Sequence, residues 1–176
     1  MRKIKKRGQV WIETVIYTLI AFVLIGLVLA FAKPKIEELQ DQAILEQSTE
    51  MLKSIDSTIV TMGSSGNQRI LEVGINEGSL IIDGKNDKII FELESGSLYS
   101  EPGKEINDGN VIVLTEEKSG YYLVTLTLDY SENYDFKFNE EDAEKTISKA
   151  STSYNLYILN KGKGSDSRTV MDVSLG

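Results

Sequence analysis

The hydrophobic and polar positions of the chain fall into three successive patterns, and the first is an unbroken apolar run. Residues 14–32 carry no charge, and Glu13 is the only charged residue when the run is extended back to Val10. At about 1.5 Å per residue, the segment from Ile12 to Ala32 forms a helix of about 31 Å, which matches the hydrocarbon core of a bilayer. The pattern predicts a membrane-spanning helix over residues 10–32.

The second pattern is an amphipathic stripe over residues 35–62. Its apolar residues recur at three- and four-residue steps among acids and glutamines, as in a helix with one buried face. We expect this face to pack on its own domain rather than to form a coiled coil with neighbouring chains. Pro34 either kinks one continuous helix or separates two helices, and the polar residues 63–67 end the second part. The stripe consists of Ile36, Leu39, Ala43, Leu52, Ile55, Ile59 and Met62.

The third pattern has a period of two and predicts short strands separated by turns. The predicted strands are Arg69–Ile75, Ser79–Asp83, Lys88–Glu94, Ser97–Ser100, Val111–Leu114, Tyr121–Tyr130, Tyr134–Phe138, Ser153–Asn160 and Thr169–Leu175. Residues 139–145 form either a helical turn or a loop. Such a series predicts an antiparallel β-sandwich or small barrel over residues 67–176. The predicted fold class is α+β, with a long hydrophobic helix that continues into an amphipathic helix packed on the β domain.

The amino-acid composition excludes most of the common classes of catalytic site. The 176 residues include no cysteine and no histidine, which excludes disulfides, thiol nucleophiles, Cys/His zinc sites and histidine-based triads. The carboxylate pairs Glu116–Glu117 and 140–142 lie in predicted turns, where adjacent acids seldom form an acid–base pair. We therefore expect a protein that is not an enzyme and that needs no cofactor.

The charge is distributed unevenly along the chain. The net charge is −8, yet residues 1–8 contain five Lys or Arg and no acid, so the remainder has 14 basic against 27 acidic residues. An acidic exterior argues against nucleic-acid binding. Lys161, Lys163 and Arg168 form one basic patch beyond the helix. It contacts an acidic neighbour or DNA in one interpretation and is solvated loop charge in the interpretation that we favour.

Three further motifs have an ordinary interpretation that we favour over a functional one. Residues 83–87 place oxygen atoms at alternate positions, but they lack the glycine and distant glutamate of a calcium loop, so a hairpin turn is expected. Residues 161–165 resemble a fragment of a phosphate loop, although no helix pattern follows. The tyrosines, among them Tyr121 and Tyr130, suit an adhesive face but are also common in strands.

The charges that flank the apolar run predict its orientation. Five basic residues precede it and three lysines follow it closely, which places the N-terminus in the cytoplasm and residues 33–176 outside. A secretory signal peptide cleaved after Ala32 is the alternative, because Ala30-Phe31-Ala32 fits the cleavage pattern. The run is longer than the usual apolar region of such a signal, and it contains Glu13.

Glu13 has two interpretations. A carboxylate at the centre of a membrane helix costs about 2.5–3.5 kcal/mol, so an acidic residue in a span suggests a functional role. Alternatively, Glu13 lies one turn inside the interface and extends toward Lys6 and Arg7 at little cost. The positions of the charges do not separate the two.

The order of residues around Glu13 resembles a known processing signal. Lys5, Lys6, Arg7 and Gly8 directly precede Gln9, Glu13 follows four residues later, and the apolar run comes next. This arrangement over residues 5–32 is similar to the class III signal peptide of archaeal type IV pilins. It departs from many of them at Trp11 and Tyr17, where serine and leucine are common. Archaellins, their relatives, usually lack the glutamate.

The resemblance implies how the chain is processed. A prepilin-type peptidase would recognise Lys5, Lys6 and Arg7, cut on the cytoplasmic side between Gly8 and Gln9, and remove residues 1–8 as a leader. The helix of residues 9–62 is then retained, with residues 10–32 in the membrane or filament core. Glu13 would face the new amino group of Gln9 on an adjacent subunit and set the register of assembly.

The resemblance also implies a structural function. The chain would be a subunit of an archaeal type IV pilus-like surface filament, a homopolymer that is held in the membrane before assembly and serves adhesion. One alternative is a single-pass, membrane-anchored extracellular β domain that binds a ligand and never polymerises. Another is a secreted domain released at Ala32. The sequence encodes no N-x-[ST] site for N-glycosylation.

Overall fold

The structure, a computed structural model, describes the backbone of residues 6–176 and the side chains of residues 11–176. It consists of one helix and two β-sheets, which confirms the predicted α+β class with a helix and a C-terminal β-sandwich. The elements are α1 (Lys6–Thr61), β1 (Gln68–Val73), β2 (Ser79–Asp83), β3 (Lys88–Ser95), β4 (Ile106–Asp108), β5 (Val111–Glu117), β6 (Tyr122–Asp129), β7 (Tyr134–Phe138), β8 (Glu144–Ser148), β9 (Tyr154–Lys163) and β10 (Thr169–Leu175).

Helix α1 is one continuous element that contains Pro34 in its interior. Of the two alternatives for Pro34, the break between two helices is therefore wrong. The described residues group into two compact units, one that ends at Leu39 and one that comprises Gln40–Gly176. The second unit includes the last part of α1, because that part is buried in the same core as the sheets.

The buried face of α1 within the second unit is formed by Leu45, Leu52, Ile55 and Ile59, each at most 1% exposed. The prediction that the stripe packs on its own domain is confirmed for Leu52, Ile55, Ile59 and Met62. It is wrong for Ile36, Leu39 and Ala43, which are exposed. The buried face continues through Leu45, Ser48 and Thr49 instead, and the Thr49 hydroxyl is satisfied by donating to the Leu45 carbonyl at 2.8 Å. Polar residues on this face concealed its register in the sequence.

The strands form a four-stranded sheet of order β1-β9-β10-β7 and a six-stranded sheet of order β4-β5-β6-β3-β2-β8. Every pairing is antiparallel except that between β10 and β7, which is parallel. Burial alternates along the central strands, and the alternate residues of both sheets form one core with α1. The fold thus has a helix packed on two sheets, as the period-two pattern predicted.

Individual strands differ from the prediction at three places. Residues 97–100 are not a strand, because the Ser95 hydroxyl accepts a hydrogen bond from the Ser97 N–H at 3.0 Å and turns the chain away from the sheet. The short edge strand β4 was missed. Strand β8 was also missed, and its first two residues lie in the segment predicted as a helical turn or loop. Only Ile147 of β8 is buried, so its sequence has no alternation to detect.

We expect Leu52→Ala to lower the free energy of unfolding by about 2–5 kcal/mol, because it leaves a cavity where α1 meets the sheets. The matched control is Val60→Ala on the same helix, where the side chain is 57% exposed. The control should change the free energy of unfolding by no more than about 0.5 kcal/mol. Urea unfolding of the full chain in detergent micelles, followed by the near-ultraviolet circular dichroism of the tyrosines, measures both. Equal effects of the two substitutions would contradict this account of the core.

Candidate functional site

The apolar half of α1 is the first part of the candidate site. Every residue from Trp11 to Phe31 is exposed in the structure. Within the described chain, α1 is the one helix whose length and apolar composition suffice to cross a membrane. An apolar surface of this extent is unfavourable in water and favourable in hydrocarbon. By its length and composition, this half of the helix therefore suits an apolar surrounding such as the interior of a membrane.

Polar groups within the apolar half are few. The Thr18 hydroxyl donates to the Thr14 carbonyl at 2.8 Å, so this hydroxyl is satisfied inside the helix and costs little in hydrocarbon. Glu13 is exposed, and no ion pair among residues 11–176 includes it. A carboxylate on an otherwise uncharged surface is thus the one group there that can form a charge-assisted contact with another chain.

The predicted processing junction lies at the edge of the described residues. Lys6, Arg7, Gly8 and Gln9 belong to the first turns of α1, but their side chains are outside the described set. Lys5 is outside the described residues altogether. The roles predicted for these five residues therefore stay predictions. The helical backbone places Gln9 one turn before Glu13, which are four residues apart along one helix face.

Charged residues resume directly after the apolar half. Lys33 pairs with Glu37 at 3.6 Å, and Lys35 pairs with Glu38 at 2.7 Å. All four side chains are solvent-accessible, and such surface pairs contribute little to stability, about 0–1 kcal/mol each. Their position is informative, because these charged side chains mark the end of the helix segment whose surface suits hydrocarbon.

Polar contacts anchor the remainder of α1 to the β-strands of the second unit. The Asp41 carboxylate accepts hydrogen bonds from the Ser95 hydroxyl at 2.7 Å and from the Gly96 N–H at 3.1 Å. Further along, Lys53 pairs with Asp108 at 3.0 Å; hydrogen bonding to Asp108, and then to Glu50, raises the pKa of Lys53. Sequence reasoning missed these anchors, since nothing local in the chain marks a partner more than 50 residues away.

A second anchor joins α1 to an aromatic cluster. The Tyr130 hydroxyl donates to Asp56 at 3.0 Å, and the Tyr130 ring lies 5.6 Å from Tyr134 and 4.9 Å from Phe136. Burial raises the pKa of the Tyr130 phenol, and the nearby Asp56 charge raises it further, so the hydroxyl stays a neutral donor. Tyr130 directly follows β6 and is only 6% exposed, so this residue belongs to the core and not to an adhesive face.

The loop motifs have the ordinary structures that the sequence favoured. Residues 83–87 form the hairpin turn between β2 and β3, in which the Asp83 carboxylate accepts hydrogen bonds from Lys85 N–H at 3.0 Å and Asn86 N–H at 3.1 Å. Burial opposes the ionisation of Asp83, but these bonds and the one from the Asn86 side chain outweigh it and lower the pKa. Residues 161–163 of the phosphate-loop fragment end β9, and residues 164–165 lie in the connection to β10.

Two of the three cations of the predicted basic patch are paired with acids of the domain, and the third, Lys163, donates to the Ser167 carbonyl at 2.8 Å. Lys161 pairs with Glu140 at 2.7 Å, and the Arg168 guanidinium binds Asp87 and Asp166. Solvated loop charge is therefore the wrong interpretation for Arg168, which is half-buried and also donates to the Ser131 and Tyr134 carbonyls. Its partner Asp87 accepts the Phe136 N–H at 2.8 Å, so the pair ties the β2–β3 turn to β7.

The lowered pKa of Asp83 gives a pH-dependent prediction. The stabilisation by the ionised Asp83 carboxylate is fully present above pH 3.8, the ordinary pKa of the group, and is lost as the pH falls through its lower pKa in the folded protein. Asp83→Asn should reduce the free energy of unfolding by about 1–3 kcal/mol at pH 7, and this deficit should shrink toward pH 3. Urea titrations across that range measure it, with exposed Glu132→Gln as the control. A deficit that does not depend on pH would contradict the assignment.

Two features of the described residues are thus available for function: an exposed apolar helix segment with one carboxylate, and a β domain that fixes the remainder of the same helix through buried apolar and polar contacts. No protein-family model, no curated protein and no solved structure matches this chain.

Proposed function

We propose that the chain is a structural subunit of a type IV pilus-like surface filament of the archaeal kind. Residues 1–8 are a leader that a prepilin-type peptidase removes between Gly8 and Gln9. The apolar half of α1 holds the subunit in the membrane, with its N-terminus in the cytoplasm and residues 33–176 outside. On assembly this segment enters the core of a homopolymer, and the polymer serves attachment to surfaces.

The continuity of α1 carries the proposal. One helix contains both an exposed apolar segment and a segment whose face is buried in the β domain. A membrane signal that is removed by cleavage does not need to share a helix with the domain that it delivers. In a filament subunit, however, a force on the apolar core segment must be transmitted to the outer domain, and a continuous hydrogen-bonded helix can transmit it. The anchors at Asp41 and Asp56 support this use of the helix.

The energetics of Glu13 are consistent with assembly. Burial of its carboxylate in a span costs about 2.5–3.5 kcal/mol. Pairing with an amino group at about 4 Å, at an effective dielectric constant of about 20, gains about 4 kcal/mol before desolvation. The two magnitudes are comparable, so contact with the amino group of Gln9 on a neighbour would offset the cost of the charge. A misaligned neighbour would leave that cost uncompensated, and the pair would thereby select one register.

The intact mass of the native protein separates the proposal from its alternatives. Loss of residues 1–8 supports a processed pilin-like subunit, whereas loss of residues 1–32 supports a secreted domain. An uncut chain favours the anchored binding module. Electron microscopy of surface filaments, with mass spectrometry of their subunits, then tests whether the processed chain polymerises.

We predict that Gly8→Leu blocks processing and leaves membrane insertion unchanged, because the apolar run is intact while the residue before the cleaved bond is bulky. Intact-mass measurement of the membrane fraction reads out both. The matched control is Gly26→Leu, since a Cβ at Gly26 meets no atom within 4 Å; this variant should be cut normally. Normal maturation of the Gly8 variant would contradict the peptidase assignment.

We predict that Glu13→Val inserts at least as well as the native chain but forms at least about tenfold fewer filaments, because the registering charge is lost. Glu13→Gln serves as the matched control for side-chain size, and it should fail to the same extent if charge is the cause. Sheared filaments are quantified per cell, with the membrane-bound subunit as the reference. Filament formation at the native rate by Glu13→Val would exclude a registering role.

A further inference from the structure

A small cavity of about 260 Å³ lies beside the last turns of α1 in the second unit. Its walls are formed by residues from α1 and from the β domain, among them Asp56 and Val60 of α1, Asn110 in the turn before β5, Tyr130 and Asn133 between β6 and β7, and Tyr134 at the start of β7. The volume is below the range of about 300–1,000 Å³ that is typical of drug-sized ligands. The cavity therefore suits a single side chain or a similarly small molecule.

The two carboxylates of this cavity, Asp56 and Asp129, only accept hydrogen bonds when ionised, and the Asn133 amide can both donate and accept. Asp56 accepts one bond from the Tyr130 hydroxyl at 3.0 Å and one from the Asn110 side-chain amide at 2.8 Å. A carboxylate offers about four acceptor positions, so about two remain for a ligand. The amide of Asn110 is already used by Asp56, and Tyr130 donates its proton inward. A ligand that brings donors is thus favoured over one that brings acceptors.

No cation in the described part of the chain compensates Asp56. Lys53, one turn earlier on α1, pairs with Asp108 and Glu50, and Lys88 pairs with the other carboxylate of the cavity, Asp129. Residues 40–176 carry 12 basic and 24 acidic residues, so the surrounding domain also favours a positive ligand over a negative one. A cation that binds to the cavity would therefore gain the most favourable electrostatic energy at the half-buried Asp56 carboxylate, which has no other positive partner among the described residues.

The remaining walls suit the apolar stem of such a cation. The Tyr130 and Tyr134 rings are perpendicular, with an interplanar angle of 88°, and a ring face attracts an ammonium group within about 6 Å of its centre. Val60 is 57% exposed at the rim and presents a methyl surface to an alkyl chain. A short alkyl chain that ends in an ammonium group is complementary to the carboxylate, the aromatic rings and the valine side chain of this cavity.

We propose that this cavity binds an alkylammonium group, with the ammonium on Asp56 and the alkyl stem between Val60 and the two tyrosine rings. A free amine supplies this chemistry, and so does a lysine side chain of a second copy of the chain. Lys85, Lys145 and Lys149 are lysines that no ion pair within the described residues occupies. The second-copy source rests on the proposed function, whereas the cavity's preference for a cation does not.

The test uses the full chain in detergent micelles and n-butylammonium chloride as the probe, with n-butanol as the neutral probe at equal ionic strength. Binding is followed by nuclear magnetic resonance of the Asn110 and Asn133 side-chain amides. We expect saturable binding of butylammonium and none of butanol, and a loss of at least about tenfold in affinity in Asp56→Asn. Asp142→Asn, an exposed site on the same domain, should bind like the native chain.

A second variant keeps the test decisive if Asp56→Asn does not fold. Val60→Lys places an ammonium group at the exposed rim, where it can fill the cavity from within, and should abolish butylammonium binding. Ser57→Lys, at an exposed position of the same helix outside the cavity lining, is its control and should retain binding. Equal responses to butylammonium and butanol in the native chain, or equal affinities in Val60→Lys and Ser57→Lys, would overturn the proposal.

Carbodiimide coupling distinguishes the two sources. The reagent activates the Asp56 carboxylate, and attack by an amine forms an amide with release of the urea by-product. An Asp56–lysine crosslink between copies, identified by mass spectrometry, assigns the ammonium to a second chain and names the lysine. Coupling to butylamine without a crosslink between copies assigns it to a free amine. Coupling to butylamine depends neither on leader cleavage nor on filaments, whereas a crosslink between copies requires assembled chains. Failure of cation binding is therefore distinguishable from failure of the proposed function.

Discussion

Burial of one face of α1 against two sheets is the interaction on which the described β domain depends. Leu45, Leu52, Ile55 and Ile59 lie in the same core as the inward residues of both sheets. Each fully buried aliphatic side chain contributes about 1.5–3 kcal/mol, a large share of the stability of a small domain. The same helix continues beyond this domain into the exposed apolar segment.

Apolar burial does not by itself fix the rotation of a helix on a sheet or its position along the helix axis, because two apolar surfaces can shift against each other at low energetic cost. The polar contacts supply that specificity. Asp41 holds the start of the packed segment to the end of β3, and Asp56 holds its last turns to Tyr130 and Asn110. A shift of one helical turn would leave these partly buried groups without partners, and each would then cost about 1–3 kcal/mol.

The surface of the β domain carries an excess of negative charge. Its cations are mostly paired with its own acids, as Lys161 is with Glu140 and Arg168 with Asp87, while twice as many acids as bases leave a strongly negative surface. Copies of such a domain repel one another unless a specific contact overcomes the repulsion. The registering role proposed for Glu13 and the cation binding proposed for the cavity at Asp56 would be contacts of that kind, because each would place a positive group on an acid.

Local patterns of hydrophobicity and turn chemistry were enough to predict the long apolar segment of α1, the hairpin turn at residues 83–87, most strands, and the burial of Leu52, Ile55, Ile59 and Met62. Contacts between distant parts of the chain were needed to reveal the continuation of the buried face through Leu45, the strand β8, the parallel pairing of β10 with β7 and the cavity around Asp56. These features join residues that are far apart in sequence: Asp56 meets Tyr130 74 positions later. No local pattern encodes such a meeting, since it arises only when the two sheets close over the helix.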